Sequence, residues 1–92
     1  MGYPKKPVVL VVDDTIANIR ILDDLLRDEY TVRVATNGTT AVRLALSEPR
    51  PDIVLLDIMM PEMDGYEVCR RLKSDPLTIN IAVVFITAMG NE

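Results

Sequence analysis

Acidic residues follow two apolar runs of this chain. Asp13 and Asp14 come directly after the run VVLVV at 8–12, and Asp57 comes directly after IVLL at 53–56. If these runs are neighbouring parallel strands, their carboxyl ends share one edge of the sheet, where ligands bind in open α/β folds. Three carboxylates gathered there would repel one another unless a cation neutralised them. The chain has no His, so the ligands at this site would be carboxylate oxygens, which hard divalent cations prefer. These residues therefore predict a Mg²⁺ or Mn²⁺ site.

The same side chains have other possible roles. Asp13 or Asp14 could simply cap the helix that follows, an ordinary role for aspartate that is compatible with metal binding. Beside a metal, the Asp57 carboxylate can act as a nucleophile toward phosphorus. Thr87, which follows the apolar run at 81–86, could donate its hydroxyl to a phosphoryl oxygen, although a β-branched residue is also ordinary strand sequence.

Alternating strand and helix patterns must position these residues. Unbroken apolar runs at 8–12, 53–56 and 81–86 predict buried parallel strands, and the alternating pattern at 31–35 predicts an edge strand. Helices are predicted over 15–28, from Asn37 or Thr39 until the prolines at 49 and 51, and from a cap at Asp64 to about Lys73. The inward face of the first helix is predicted to carry Ile16, Ile19, Leu22 and Leu26. This order of elements predicts an α/β fold with right-handed parallel crossovers.

The composition excludes several kinds of site and partner. A net charge of −4 argues against direct binding of nucleic acid or an anionic membrane surface. One Cys and no His exclude a disulfide framework, a thiolate metal cluster and histidine-dependent catalysis. The apolar runs are far shorter than the ~20 residues of a membrane span, and the start of the chain lacks a signal-peptide pattern. We therefore expect no membrane partner and a cytoplasmic location.

Three motifs together resemble the receiver domain of two-component response regulators. They are VVDD at 11–14, LLDIMMPEMDG at 55–65 and FITA at 85–88, and the resemblance covers nearly all of the chain. It implies a doubly wound, flavodoxin-like parallel sheet with strand order 2-1-3-4. It also implies a domain that catalyses only its own aspartyl phosphorylation and dephosphorylation, with a histidine kinase or histidine phosphotransfer protein as phosphodonor.

The resemblance assigns roles to individual residues. Asp57 would be the phospho-acceptor and also a metal ligand, together with Asp14 and the main-chain carbonyl of Met59. Asp13 would support the Mg²⁺ ion largely through water. Thr87 would be the hydroxyl that turns onto the phosphoryl group, and the small side chain of Ala88 would leave that group accessible.

The sequence departs from the family pattern at its end. Receivers carry a lysine after a fifth strand and an aromatic switch residue nearby, and this sequence stops before either. We expect residues 1–6 to be an N-terminal tail and residues 7–92 to be a receiver domain lacking the last helix, strand and helix, taken from a longer chain with an output domain. Loss of one such charge-stabilising donor slows catalysis by about 10²–10³, so phosphorylation is expected to be weak or silent.

The missing elements also affect association. A fourth strand without its neighbours would present an open apolar edge, so we predict a homodimer through that edge.

Three other functions compete with phosphorylation. A receiver-like module that works only by protein contact stays open, although the intact aspartates argue against it. A haloacid dehalogenase-type phosphatase needs a second acid two residues after its nucleophile, where Thr15 and Met59 stand here. An FMN carrier needs a hydroxyl- and glycine-rich phosphate loop after the first strand, and Asp13 and Asp14 would repel that phosphate.

Overall fold

The computed structural model describes residues 5–86, in which strands and helices alternate along the chain. The strands are β1 (Val8–Val12), β2 (Thr31–Ala35), β3 (Ile53–Asp57) and β4 (Ala82–Ile86), and the helices are α1 (Ile16–Leu26), α2 (Gly38–Ala45) and α3 (Gly65–Lys73). The strands form one parallel sheet in the order β2-β1-β3-β4. The predicted fold class, the strand order and the edge position of β2 are confirmed.

The two central strands are buried because helices cover both faces of the sheet. On one face, α2 and α3 pack through Ala41, Ala45, Val68 and Leu72 against Leu10, Val12, Val54 and Leu56. On the other face, α1 packs through Ile19 against Val9 and Val11. Cover on both faces explains why β1 reads as an unbroken apolar run rather than an alternating one.

The helix boundaries follow from capping. The side chains of Asn37 and Asp64 accept hydrogen bonds from the main-chain N–H groups of Thr40 and Glu67, which fixes the starts of α2 and α3. Thr15 is the N-cap of α1 but makes no side-chain cap bond. The structure thus selects Asn37 from the two predicted starts of α2.

Helix α2 ends well before the predicted stop at Pro49. Its last residue is Ala45, and Arg33 of β2 donates from Nη1 to the carbonyl oxygens of Leu44, Ser47 and Pro49 at 2.9, 3.1 and 2.7 Å. Leu44 lies in the last turn of α2, where carbonyls need donors from outside the helix, whereas Ser47 and Pro49 follow the helix. A side chain from a distant strand thus holds the chain where α2 ends, before the predicted stop at Pro49.

Strand β4 is the edge strand opposite β2 in the sheet that residues 5–86 form. Its side chains include Val84, 43% exposed, and Phe85, 38% exposed. The Phe85 ring lies beside the Tyr66 ring of α3, with 5.3 Å between the centroids. Across the same residues, none of the helices has the length and apolar character that crossing a bilayer demands.

Candidate metal centre

The pairing of β1 with β3 brings the predicted aspartates together. Val12 pairs with Leu56, so Asp13 and Asp57 leave the sheet side by side at its carboxyl edge. Oxygen atoms of Asp13, Asp14 and Asp57 all lie within 4.8 Å of one another. The structure therefore forms the acidic cluster that the sequence predicts.

The cluster combines burial with uncompensated negative charge. Asp13 is 3% exposed and Asp57 is 6% exposed, whereas Asp14 is open to solvent. Burial raises the pKa of Asp57 above its ordinary value. The hydrogen bond from Met59 opposes that shift, and the charges of Asp13 and Asp14 add to it. Among the ion pairs within residues 5–86, none involves these three carboxylates.

The loop after β3 orients Asp57. The main-chain N–H of Met59 donates to Asp57 Oδ1 at 3.2 Å, which leaves the second carboxylate oxygen available. The Met59 side chain is 75% exposed, whereas Met60 packs into the core. The role of the Met59 carbonyl as a metal ligand stays a prediction.

Gly65 supports this loop, and the sequence analysis did not identify it. The Gly65 N–H donates to the carbonyl oxygen of Ile58 at 2.9 Å. A Cβ atom at position 65 would collide with the carbonyl oxygen of Asp57 and lie 2.8 Å from Ile58 Cα. The signal in the sequence is a glycine at the first position of a helix, directly after the capping Asp64, where most other residues would favour the helix more.

The loop after β1 orients Asp13. Its Oδ1 accepts the N–H of Thr15 at 2.8 Å, and its Oδ2 accepts the side-chain amide of Asn18 at 3.2 Å. Its main-chain N–H donates to the carbonyl of Ala35 in β2 at 3.1 Å. Asp13 thus holds the turn before α1 and contributes charge to the cluster. The N-cap of α1 is Thr15, so the prediction that Asp13 or Asp14 caps this helix is wrong, and the role of Asp13 at a metal ion stays a prediction.

Two predicted residues lie outside the described part of the chain. Ile86, the last residue of β4, pairs with Asp57 in the parallel register. Thr87 and Ala88 follow it in the sequence. Their predicted roles beside the phosphoryl group therefore stay predictions.

The donor set suits a hard divalent cation. Every side-chain donor in the cluster is a carboxylate oxygen, the ligand type that Mg²⁺ and Mn²⁺ prefer. Two of the carboxylates are buried without a basic partner among residues 5–86, an arrangement that a cation would stabilise. The residues therefore fit the predicted ion.

Comparisons with known proteins agree with this geometry. A family model for the response regulator receiver domain matches residues 9–92, a span that includes all three aspartates. The response regulator PleD of Caulobacter vibrioides is 54% identical over 85 residues, which cover 91% of this chain and 18% of that protein. A probable cyclic di-GMP phosphodiesterase of Vibrio cholerae is 41% identical over 83 residues, covering 90% of this chain and 19% of that protein. The chain thus spans less than a fifth of these relatives.

Solved structures show the same likeness. The N-terminal domain of a response regulator receiver protein from Methanoculleus marisnigri superposes with a TM-score of 0.83 at 38% identity, covering 92% of this chain and 69% of that one. The Mn²⁺-bound form of response regulator Rcp1 superposes with a TM-score of 0.79 at 32% identity, covering 97% of this chain and 69% of that one. The similarity therefore extends over nearly the whole described sheet and its helices.

Proposed function

The chain belongs to the response regulator receiver domain family, and from that premise we propose that it accepts a phosphoryl group on Asp57 and thereby switches a downstream output. A histidine kinase or a histidine phosphotransfer protein would supply the phosphoryl group. The observation that carries this proposal is a buried Asp57 carboxylate with oxygens of Asp13 and Asp14 within 4.8 Å.

The phosphoryl transfer needs one free oxygen on Asp57. The hydrogen bond from Met59 engages Oδ1, so Oδ2 would be the attacking oxygen. Attack on a phosphohistidine forms one O–P bond and breaks one P–N bond, and the leaving nitrogen keeps the electron pair and takes up a proton. Thr87 would donate its hydroxyl to a phosphoryl oxygen, and Ala88 would leave space for the group.

Asp14, Asp57 and the Met59 carbonyl would hold a Mg²⁺ or Mn²⁺ ion directly, and Asp13 would act largely through water. Each oxygen of Asp13 already accepts a hydrogen bond, which supports this division, because fewer of its lone pairs remain free for the ion. When bound, the ion offsets the negative charge that the carboxylates and the incoming phosphoryl group share. Rcp1, a relative of similar fold, has a Mn²⁺-bound form.

Association and cellular context extend the proposal. The exposed apolar side chains of Val84 and Phe85 on the outer strand support a homodimer through the β4 edge. The small share of its curated relatives that the chain spans supports an output domain in a longer parent protein. A cytoplasmic location remains a prediction.

Intact-mass spectrometry of the full chain after incubation with acetyl phosphate tests the proposal. We expect weak labelling that gives a single phosphoryl adduct, requires Mg²⁺ and is absent from Asp57→Asn. The matched control is Asp28→Asn, which removes an exposed carboxylate outside the cluster and should label like the unsubstituted chain. Equal labelling of the Asp57→Asn variant would contradict the proposal. If the chain stays unlabelled, a version extended through a lysine-bearing fifth strand separates the two causes: restored labelling supports the proposal, and continued absence of the adduct would contradict it and favour a module that works only by protein contact.

A further inference from the structure

Asn18 links helix α1 to the acidic cluster. It is the third residue of α1, it is exposed, and its Nδ2 donates to Asp13 Oδ2 at 3.2 Å. Asparagine is a weak helix former, because its amide competes with the main chain for hydrogen bonds. The hydrogen bond to Asp13 explains why an asparagine occupies the first turn of α1 despite its weak helix propensity.

Asn18 completes the restraint on the Asp13 carboxylate. The N–H of Thr15 holds Oδ1 at 2.8 Å, so without Asn18 the carboxylate would keep one of its two side-chain hydrogen bonds. With both bonds, the carboxylate is fixed in one orientation while its negative charge stays beside Asp14 and Asp57.

The neutral amide is suited to this position. A lysine or arginine at position 18 could also hold Asp13, but its positive charge would offset the cluster and repel a cation. An amide donates a hydrogen bond to the ionised carboxylate without reducing the net negative charge that attracts the ion. Partners that hold metal-binding groups in this way commonly contribute 10–100-fold in metal affinity.

We propose that Asn18 is a positioning residue that fixes the Asp13 carboxylate and thereby tightens divalent-cation binding at the cluster of Asp13, Asp14 and Asp57. This inference rests on the proposed function, since it assumes that the cluster binds a cation. It adds a residue on the surface of α1 that acts on the cluster through its hydrogen bond to Asp13.

The test measures Mn²⁺ affinity by electron paramagnetic resonance in the full chain. Asn18→Ala and Asn18→Leu both remove the amide donor, and leucine also keeps much of the side-chain volume, so it replaces the alanine variant if that one does not fold. Each variant is expected to bind Mn²⁺ about tenfold more weakly. The matched control is Ile21→Ala, which truncates another exposed side chain of α1 and should leave the affinity unchanged.

Two further measurements separate positioning from a general structural role. The melting temperature of the metal-free chain should stay the same in Asn18→Ala, because the site of substitution is exposed and alanine favours the helix. In an Asp13→Ala background, Asn18→Ala should cause no additional loss of Mn²⁺ affinity, because its partner is already absent.

The outcomes distinguish this inference from the proposed function. If the unsubstituted chain binds no Mn²⁺, the metal site and the role of Asn18 are both overturned. If it binds Mn²⁺ and the Asn18 variants bind equally well, the role of Asn18 alone is overturned. An undiminished tenfold loss in the Asp13→Ala background would overturn it as well, since the effect would then not pass through Asp13.

Discussion

Val8 and Asp52 are joined by two hydrogen bonds at the amino-terminal edge of the sheet. The N–H of Val8 donates to Asp52 Oδ2 at 2.8 Å, and the N–H of Asp52 donates to the carbonyl oxygen of Val8 at 2.8 Å. This pair aligns the starts of β1 and β3, and the same register places Asp13 beside Asp57 at the opposite edge. The position of the acidic cluster is therefore set partly by a contact one strand length away.

Removing the Asp52 side chain should weaken this alignment. We expect Asp52→Ala to lower the free energy of unfolding by about 1 kcal/mol, because the Val8 N–H loses its partner. Asp52→Asn is the matched control, since its amide oxygen can still accept that bond, and it should lose less. Urea unfolding followed by circular dichroism measures both variants. Equal midpoints for Asp52→Ala and the unsubstituted chain would show that the side-chain bond does not hold the register.

Gly65→Ala should disturb Asp57 directly. The added Cβ would meet the main chain of Asp57 and Ile58, which cannot move without shifting Asp57, the proposed phospho-acceptor. We expect a loss of about 1–3 kcal/mol in the free energy of unfolding and slower labelling by acetyl phosphate. The measurements are urea unfolding and the rate of adduct formation by mass spectrometry.

Gly38→Ala provides the comparison for Gly65→Ala. A Cβ atom at Gly38 would meet the side chain of Met63 rather than main chain. Met63 Sδ and Cγ can move by a change of rotamer, but Met63 Cβ, 2.9 Å away, requires a small shift of the loop that carries it. Because this shift does not involve the main chain of Asp57, the variant should lose less stability than Gly65→Ala and label at nearly the normal rate. Equal losses in the two glycine variants would refute a specific role of Gly65 in supporting Asp57.

The raised pKa of Asp57 predicts a particular pH dependence of stability. The folded chain binds this proton more tightly than the unfolded chain, so its stability falls as pH rises from the ordinary value of 3.8 through the raised folded value. Above that window the ionised, metal-free Asp57 destabilises the fold. Asp57→Asn should therefore unfold at a higher urea concentration than the unsubstituted chain at neutral pH without metal, and this advantage should disappear in acid.

Addition of Mg²⁺ and a control variant extend the urea-unfolding test of Asp57. Adding Mg²⁺ should stabilise the unsubstituted chain more than Asp57→Asn, since the variant has lost one ligand. Asp28→Asn, with its exposed carboxylate, should change the urea midpoint little in either condition. A lower midpoint for Asp57→Asn at neutral pH without metal would contradict the destabilising role of this charge.

The periodicity of helix α1 predicts the helix correctly but predicts the burial of its residues only in part. Its 3.6-residue periodicity correctly predicts a helix with Ile19 buried, yet Ile16 on the same predicted stripe is 53% exposed. Periodicity identifies the face that turns toward the sheet, but the sheet is finite. Which residues of that face find cover depends on where the helix crosses the strands.

The parallel α/β fold, the cap at Asp64 and the gathering of Asp13, Asp14 and Asp57 could all be predicted from the sequence alone, whereas the start of α2 was left between Asn37 and Thr39. These features depend on local periodicity, on capping preferences and on the rule that parallel strands present their carboxyl ends together.

The bonds from Asn18 to Asp13, from Arg33 to the end of α2 and from Val8 to Asp52 could be found only in the folded structure. The same is true of the close approach of Gly65 to the main chain of Asp57. Each of these contacts is an ångström-scale distance between groups that a loop or a distant strand brings together. Local sequence patterns specify which groups can donate or accept a hydrogen bond, whereas strand register and loop geometry select the partner.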